Sequence, residues 1–198
     1  MSISAADDRK SEDATTGQGD GRVPAREFRA ACSRFPTGVM VFAVLGEDGA
    51  PHGITISSFA SVSLSPPLIL VCIDYRSRLL DHLAIGRAFG LSVLSRHQSA
   101  LSVQFSKSWD DRFLNVAWDH GDTGVPLLHE ATAFFECSAN QMIAAGDHVV
   151  VVGNVLKATA SDRSPLVYFN SSYGEIVSSG CVRNLSNEAP EASWKEGM

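Results

Sequence analysis

The sequence predicts a mainly β domain, a barrel or a sandwich, with a few short helices beside it. Three features predict this class. Apolar segments of strand length recur along the chain, the longest being His148 to Ala158, with valine at four successive positions. Turn formers such as Glu47-Asp48-Gly49 and Ala144-Ala145-Gly146-Asp147 separate them. Helical periodicity is confined to short stretches. With 198 residues, 44% of them hydrophobic, the chain can bury one core, not two.

Residues 1–23 are polar and small, and cannot bury enough apolar area to offset the entropy of ordering them, so a disordered tail is expected. Pro24 opens a helix in which Phe28, Ala31, Cys32 and Phe35 form one apolar face, and Pro36 ends it. A strand over Val39 to Leu45 follows, then the Asp-Gly hairpin turn, then a strand over His52 to Ile56. After a hydroxyl-rich loop and the pair Pro66-Pro67, the apolar run Leu68 to Ile73 reads as a buried strand. Ser77 to Gly86 reads as a short helix with Leu79, Leu80 and Leu83 inward. Phe89 to Leu94 is a strand, and Gln98 to Phe105 a helix with Leu101 and Phe105 on one side. Residues 106–124 read as a long loop with a helical turn. Ala131 to Ile143 is a strand with a bulge. Beyond the long segment from His148, short strands over Leu166 to Phe169 and Glu175 to Val177 flank a Tyr173-Gly174 turn, and a polar tail closes the chain.

The stretch from Gly53 to Leu80 organises the rest. Thr55, Ser57, Ser58, Ser61, Ser63 and Ser65 precede its strand, and Asp74, Tyr75, Arg76, Ser77 and Arg78 follow it. Hydroxyls, backbone N–H groups and an Arg fork around one strand suit a phosphorylated ligand. The same residues also serve as turn caps and a solvated guanidinium, and at this level both readings stand. Other chemistries lack their residues. There is no Gly-x-Ser-x-Gly elbow, no phosphate-binding loop after a strand, and no metal-ligand spacing among the six histidines. A net charge of −6 repels nucleic acid and anionic membrane, so neither is an expected partner. The N-terminus carries no apolar signal segment, and no stretch has the length of a membrane-spanning helix. The scattered Cys32, Cys72, Cys137 and Cys181 read as reduced, mostly structural thiols of a cytoplasmic protein.

Four segments, in order, carry a resemblance. They are Phe35-Pro36-Thr37-Gly38-Val39; Gly53 to Ile73; Gly146-Asp147-His148 with the valines to Gly153; and Pro165 to Phe169 leading into Tyr173-Gly174. Across roughly residues 25–178 the chain resembles the flavin reductase-like family, the small reductases that supply reduced flavin to two-component monooxygenases. The resemblance implies an FMN-binding split β-barrel of Greek-key type over residues 24–180, between tails at 1–23 and 181–198, and a homodimer. It implies reduction of FMN or FAD by NADH or NADPH, with reduced flavin passed to a partner monooxygenase. Cofactors carry such hydride chemistry, which fits the absence of an acid–base constellation.

By the same resemblance, Thr37, Thr55, Ser57 and Ser58 lie along the flavin, and Ser77 and Arg78 approach its phosphate. His148 is the candidate catalytic and nucleotide-binding residue, with Asp147 beside it, and Tyr173 is a second nucleotide contact. Leu79 stands where many members have Thr, which weakens one expected hydroxyl contact; Ser172 stands where many have a basic residue, so coenzyme preference stays open. Two other functions also stay open: a flavoprotein with permanently bound FMN serving another acceptor, and a non-catalytic flavin-binding barrel.

Overall fold

A computed structural model describes residues 23–107 and 111–176. The expected tails, Trp109, Cys181, Trp194 and the end of the expected last strand lie outside the described residues. Helix α1 (Ala25–Cys32) begins after Pro24, as the spacing predicts. Its apolar face is not buried, however: Phe28 is 61% and Phe35 73% exposed. Periodicity marks a face that favours cover, but does not supply the cover. The short strand β1 (Thr37–Gly38) leads into β2 (Met40–Leu45).

Strand β2 is the centre of the fold because both its faces are buried. Met40, Phe42 and Val44 enter one core; Val39, Val41 and Ala43 enter the other. It turns through Gly49, whose φ of +80° favours glycine, into β3 (Pro51–Ile56). The expected hydroxyl loop is in part a strand, β4 (Ala60–Leu64), paired with β5 (Pro67–Asp74). Strand β5 is buried on one face only. Ile69, Val71 and Ile73 are in the core, whereas Leu68, Leu70 and Cys72 are half-buried. An unbroken apolar run does not distinguish one covered face from two. The expected helix after it is a single 3-10 turn, Arg78–His82, with Leu79 and Leu83 buried as expected.

Strand β6 (Ala88–Val93) and helix α2 (Ser99–Ser106) match expectation, and α2 buries Phe105. The expected long loop contains a small hairpin, β7 (Trp118–His120) and β8 (Pro126–Leu128). It closes the second core, in which Phe113 meets Phe105 edge-on at 4.9 Å. Strands β9 (Ala133–Ala145) and β10 (His148–Ala160) form a long hairpin through Gly146, with register shifts at Val152/Gly153 and Val155/Lys157 that carry the expected bulge. Last come β11 (Leu166–Phe169) and β12 (Ser172–Glu175). Their turn is Asn170-Ser171, at φ of 49° and 61°, so Tyr173 and Gly174 lie inside β12 rather than at the turn. A two-residue hairpin needs left-handed backbone, which asparagine tolerates.

The seven-stranded sheet is antiparallel, in the order β3-β2-β6-β9-β10-β5-β4. Side chains from six of these strands, β2, β3, β5, β6, β9 and β10, meet in one core, so the sheet curls around it and the mainly β expectation holds. A second sheet, β1-β11-β12, is tied on where Leu94 N–H donates to the Val39 carbonyl and Leu166 N–H to the Leu94 carbonyl. Burial pushes the Cys137 thiol up to about 12, which makes it an inert core residue, while Cys32 is exposed; both, like Cys72, are free thiols.

Candidate functional site

The loop after β5 forms through local chemistry. Asp74 accepts the backbone N–H of Arg76 at 2.8 Å and grips its guanidinium, with Nε at 3.1 Å and Nη2 at 2.6 Å. These hydrogen bonds hold the Asp74 carboxyl far below the ordinary carboxylate range. Ser77 caps the 3-10 turn, its hydroxyl accepting from Leu79 N–H. Arg76, Ser77 and Arg78 line a cleft of about 380 Å3. The same cleft is lined by His52 and Gly53 of β3, by Asp81 and His82 of the 3-10 turn, and by Arg112 and Phe113.

His52 and His82 stack, with ring centroids 3.8 Å apart and planes 15° apart. Burial lowers the pKa of His52; His82 and Arg78 lower it further, against the opposing pull of Asp48. Arg112 Nη1 donates to the Gly53 carbonyl at 2.8 Å, so this arginine crosses from the long loop onto β3. A side chain on Gly53 would collide with Phe105 and Phe113, which explains glycine in the cleft wall.

A second group lies at the small sheet. Thr37, Tyr168 and Tyr173 are cross-strand neighbours in one row over β1, β11 and β12, and the two tyrosine rings sit 5.5 Å apart. The Tyr173 hydroxyl is 2.8 Å from Ser102 Oγ of α2, and the Ser102 carbonyl accepts from Thr55 Oγ1 at 2.7 Å. Three expected site residues, Thr37, Thr55 and Tyr173, are thus joined through a buried serine that nothing in the sequence marks. Thr55 keeps only acceptor capacity for a ligand, because its one proton is engaged. Ser58 is engaged more fully: its hydroxyl donates to the Cys72 carbonyl at 3.0 Å and accepts the Cys72 N–H at 2.9 Å, pinning its loop to β5. Ser57 is exposed at the end of β3.

His148 opens β10 opposite Asp74 of β5. Its Nδ1 is 2.7 Å from Asp147 Oδ1. An ionised carboxylate only accepts, so Nδ1 carries the proton and Nε2 is the atom left to a ligand. That hydrogen bond holds the Asp147 carboxyl below its usual range. The Asp147 carbonyl also accepts Tyr75 N–H at 3.1 Å, so the residue both closes the turn and orients the imidazole. His148 is therefore tied to the cleft through Asp74 and Arg76, whereas among the described residues no hydrogen bond or ring contact joins it to Tyr173. The residues missed by sequence reasoning are His52, His82, Ser102 and Arg112. The only available signal was Arg112 within a long loop of covering type.

Known proteins resemble this chain over the part that builds these sites. Residues 32–177 match the family described as flavin reductase like domain. The chain is 38% identical over 148 residues to the stachydrine N-demethylase reductase subunit Stc3 of Rhizobium meliloti (strain 1021), covering 75% of this chain and 64% of that protein. It is 40% identical over 148 residues to the flavin reductase (NADPH) of Lentzea aerocolonigenes, covering 74% of this chain and 86% of that one. Among solved structures, the NADH:FAD oxidoreductase SgcE6 of Streptomyces globisporus C-1027, in complex with NAD and FAD fragments, aligns with a TM-score of 0.73 at 33% identity, over 78% of this chain and 93% of that chain. The chain spans 64% and 48% of the length of two curated relatives from Rhizobium meliloti. With the match running from the end of α1 through β12, and so through both the cleft and the tyrosine row, the chain belongs to the flavin reductase like family.

Proposed function

We propose that the protein is an NAD(P)H:flavin oxidoreductase that reduces FMN or FAD and releases the reduced flavin to a partner monooxygenase. The observation that carries this reading is the cleft after β5, in which three arginines and a serine converge in a member of this family. Its donor set fits a flavin phosphate, because guanidinium groups offer hydrogen bonds and charge to oxyanions and accept none. When bound, the reduced nicotinamide and the flavin supply the hydride transfer between them. The chain's part is to hold and orient. Ser77 and Arg78 hold the phosphate. Thr55 and Thr37, with Ser57, line the flavin, Thr55 as an acceptor. Ser58 serves by fixing its loop through Cys72, so that the backbone faces the ligand. His148, fixed by Asp147, and Tyr173, fixed by Ser102, receive the nucleotide.

The experiment is steady-state oxidation of NADH and of NADPH by purified protein, with FMN or FAD added across a concentration series. The rate should rise from near zero to saturation with flavin. A rate that is the same without flavin and at saturation would mean a permanently bound group. Flavin binding with no nucleotide oxidation would mean a binding module. His148→Ala should raise KM for the nucleotide about two- to tenfold, the effect of losing one neutral hydrogen bond of about 0.5–1.5 kcal/mol, with flavin affinity unchanged. Unaltered nucleotide kinetics in a stably folded His148→Ala protein would remove this residue from the site.

We further propose that the curled sheet is a split β-barrel of Greek-key type spanning residues 24–180, because its edge strand β3 also approaches β5. The barrel forms a homodimer. Phe28, Phe35, Ile143 and Leu156 are large and exposed, and β10 continues past Asn154, where its pairing with β5 ends. Static light scattering should give about twice the chain mass of 21.2 kDa. A mass of one chain at working concentration would reject the dimer. The free thiols Cys32, Cys72 and Cys137 support placement in the reducing cytoplasm.

A further inference from the structure

Helix α2 sets one residue between the expected flavin contact Thr55 and the expected nucleotide contact Tyr173. Its buried residues are Ser102 and Phe105, three positions apart and so on one face. Phe105 fixes that face in the second core, edge-on to Phe113. Ser102, with no exposed surface, is held with it and makes contacts in two directions. Its carbonyl accepts from Thr55 Oγ1 at 2.7 Å, and its Oγ lies 2.8 Å from the hydroxyl of Tyr173, 71 positions further along the chain. Tyr173 has little else to hold it. It stands on β12, the outer strand of the small sheet, pairs with β11, and is 39% exposed. The Tyr168 ring lies against it, and the bond to Ser102 fixes its far end. A buried helical serine has a local alternative, the carbonyl one turn back, so burial alone does not require the reach to Tyr173. His148 is held separately, by Asp147 at the tip of the β9–β10 hairpin.

We propose that Ser102 is a positioning residue for flavin reduction: it holds the Tyr173 ring at a fixed distance from the flavin wall at Thr55, and so seats the nicotinamide in register with the flavin. The inference rests on the reading of Thr55 as a flavin contact and Tyr173 as a nucleotide contact, and adds the residue that ties them together. Transfer between two bound molecules requires the reacting atoms about 3–3.5 Å apart and aligned. A tyrosine ring released from Ser102 still offers a surface to the nucleotide, but no single orientation. The loss therefore falls on turnover rather than on binding.

The test compares the full chain with Ser102→Ala, Tyr173→Phe, the double variant and Tyr173→Ala, in nucleotide oxidation at saturating flavin. Removing either hydroxyl should lower kcat about two- to tenfold, the effect of one neutral hydrogen bond, with KM for the nucleotide within about twofold of native. The double variant should be no slower than the slower single one, because both substitutions remove the same bond. Flavin affinity by fluorescence titration should not change, since alanine keeps the carbonyl that Thr55 uses. Melting temperature should also hold, because the part-exposed Tyr173 hydroxyl turns to water. In ligand-free protein, the ring NMR signal of Tyr173, one of three tyrosines, should move in Ser102→Ala. Native kcat in a folded Ser102→Ala protein, additive losses in the double variant, a rise in KM alone, or an unmoved ring signal overturns the inference. So does a lower melting temperature with flavin and nucleotide binding worsening together, which marks a structural contact. Tyr173→Ala separates the two levels. If it slows turnover and Ser102→Ala does not, only the positioning role fails; if its kinetics are native, the reading of Tyr173 fails as well.

Discussion

Phe89→Ala should lower the stability of the folded protein by about 3–5 kcal/mol, the usual cost of emptying a fully buried phenylalanine site. Phe89 has no exposed surface and stacks on Phe42 at 4.6 Å, in the core that six strands share. The site collapses poorly, because the ring lies over Gly153 of β10, where a Cβ would come within 2.5 Å of Phe89 Cζ. The same contact supplies the control. Gly153→Val alone should cost about 1–3 kcal/mol by overpacking. In the Phe89→Ala background it fills the space the ring has left, so the double variant should be more stable than the sum of the single losses predicts. Urea denaturation of the four proteins measures this. A Phe89→Ala loss below about 1 kcal/mol, or strictly additive effects, would show that ring and glycine do not face each other.

Arg78→Ala should weaken FMN or FAD binding about tenfold to a hundredfold. The basis is a charge-assisted hydrogen bond of roughly 1.5–3 kcal/mol to the phosphate. The side chain is exposed on the cleft rim and outside both cores, so stability should change by no more than about 0.5 kcal/mol. Riboflavin isolates the cause. It has no phosphate, so its affinity should be the same in native and variant protein. If riboflavin binding falls in parallel, Arg78 acts through the shape of the loop; if FMN and FAD affinities do not change, it lies outside the site. Raised salt should narrow the gap between the proteins, since an exposed guanidinium is screened.

The two variants separate what is local from what is not. Arg78 was legible as a candidate ligand residue because it stands next to Ser77 and directly after a strand, an arrangement carried by a few consecutive residues. The same holds for β2, β5, β6 and β10, whose side-chain types and bounding turns are local properties. Asp147 and His148 are likewise adjacent in the chain, so the hydrogen bond between them was open to prediction.

What local pattern leaves open is which surfaces meet. The period of α1 gave a correct helix, yet its phenylalanines are exposed, because burial depends on a second surface that the helix does not encode. The apolar run of β5 was equally consistent with one covered face or two, and the curl of the sheet chose one. The turn near the end of the chain moved to Asn170-Ser171 because register with β11 sets Tyr173 inside a strand, opposite Tyr168. His52 and His82, Thr55 and Ser102, and Arg112 and Gly53 are pairs far apart in the chain. A histidine, a serine or an arginine alone has no periodicity and no turn preference strong enough to announce a partner. Only packing of the 3-10 turn, α2 and the long loop against β3 brings each pair within contact distance.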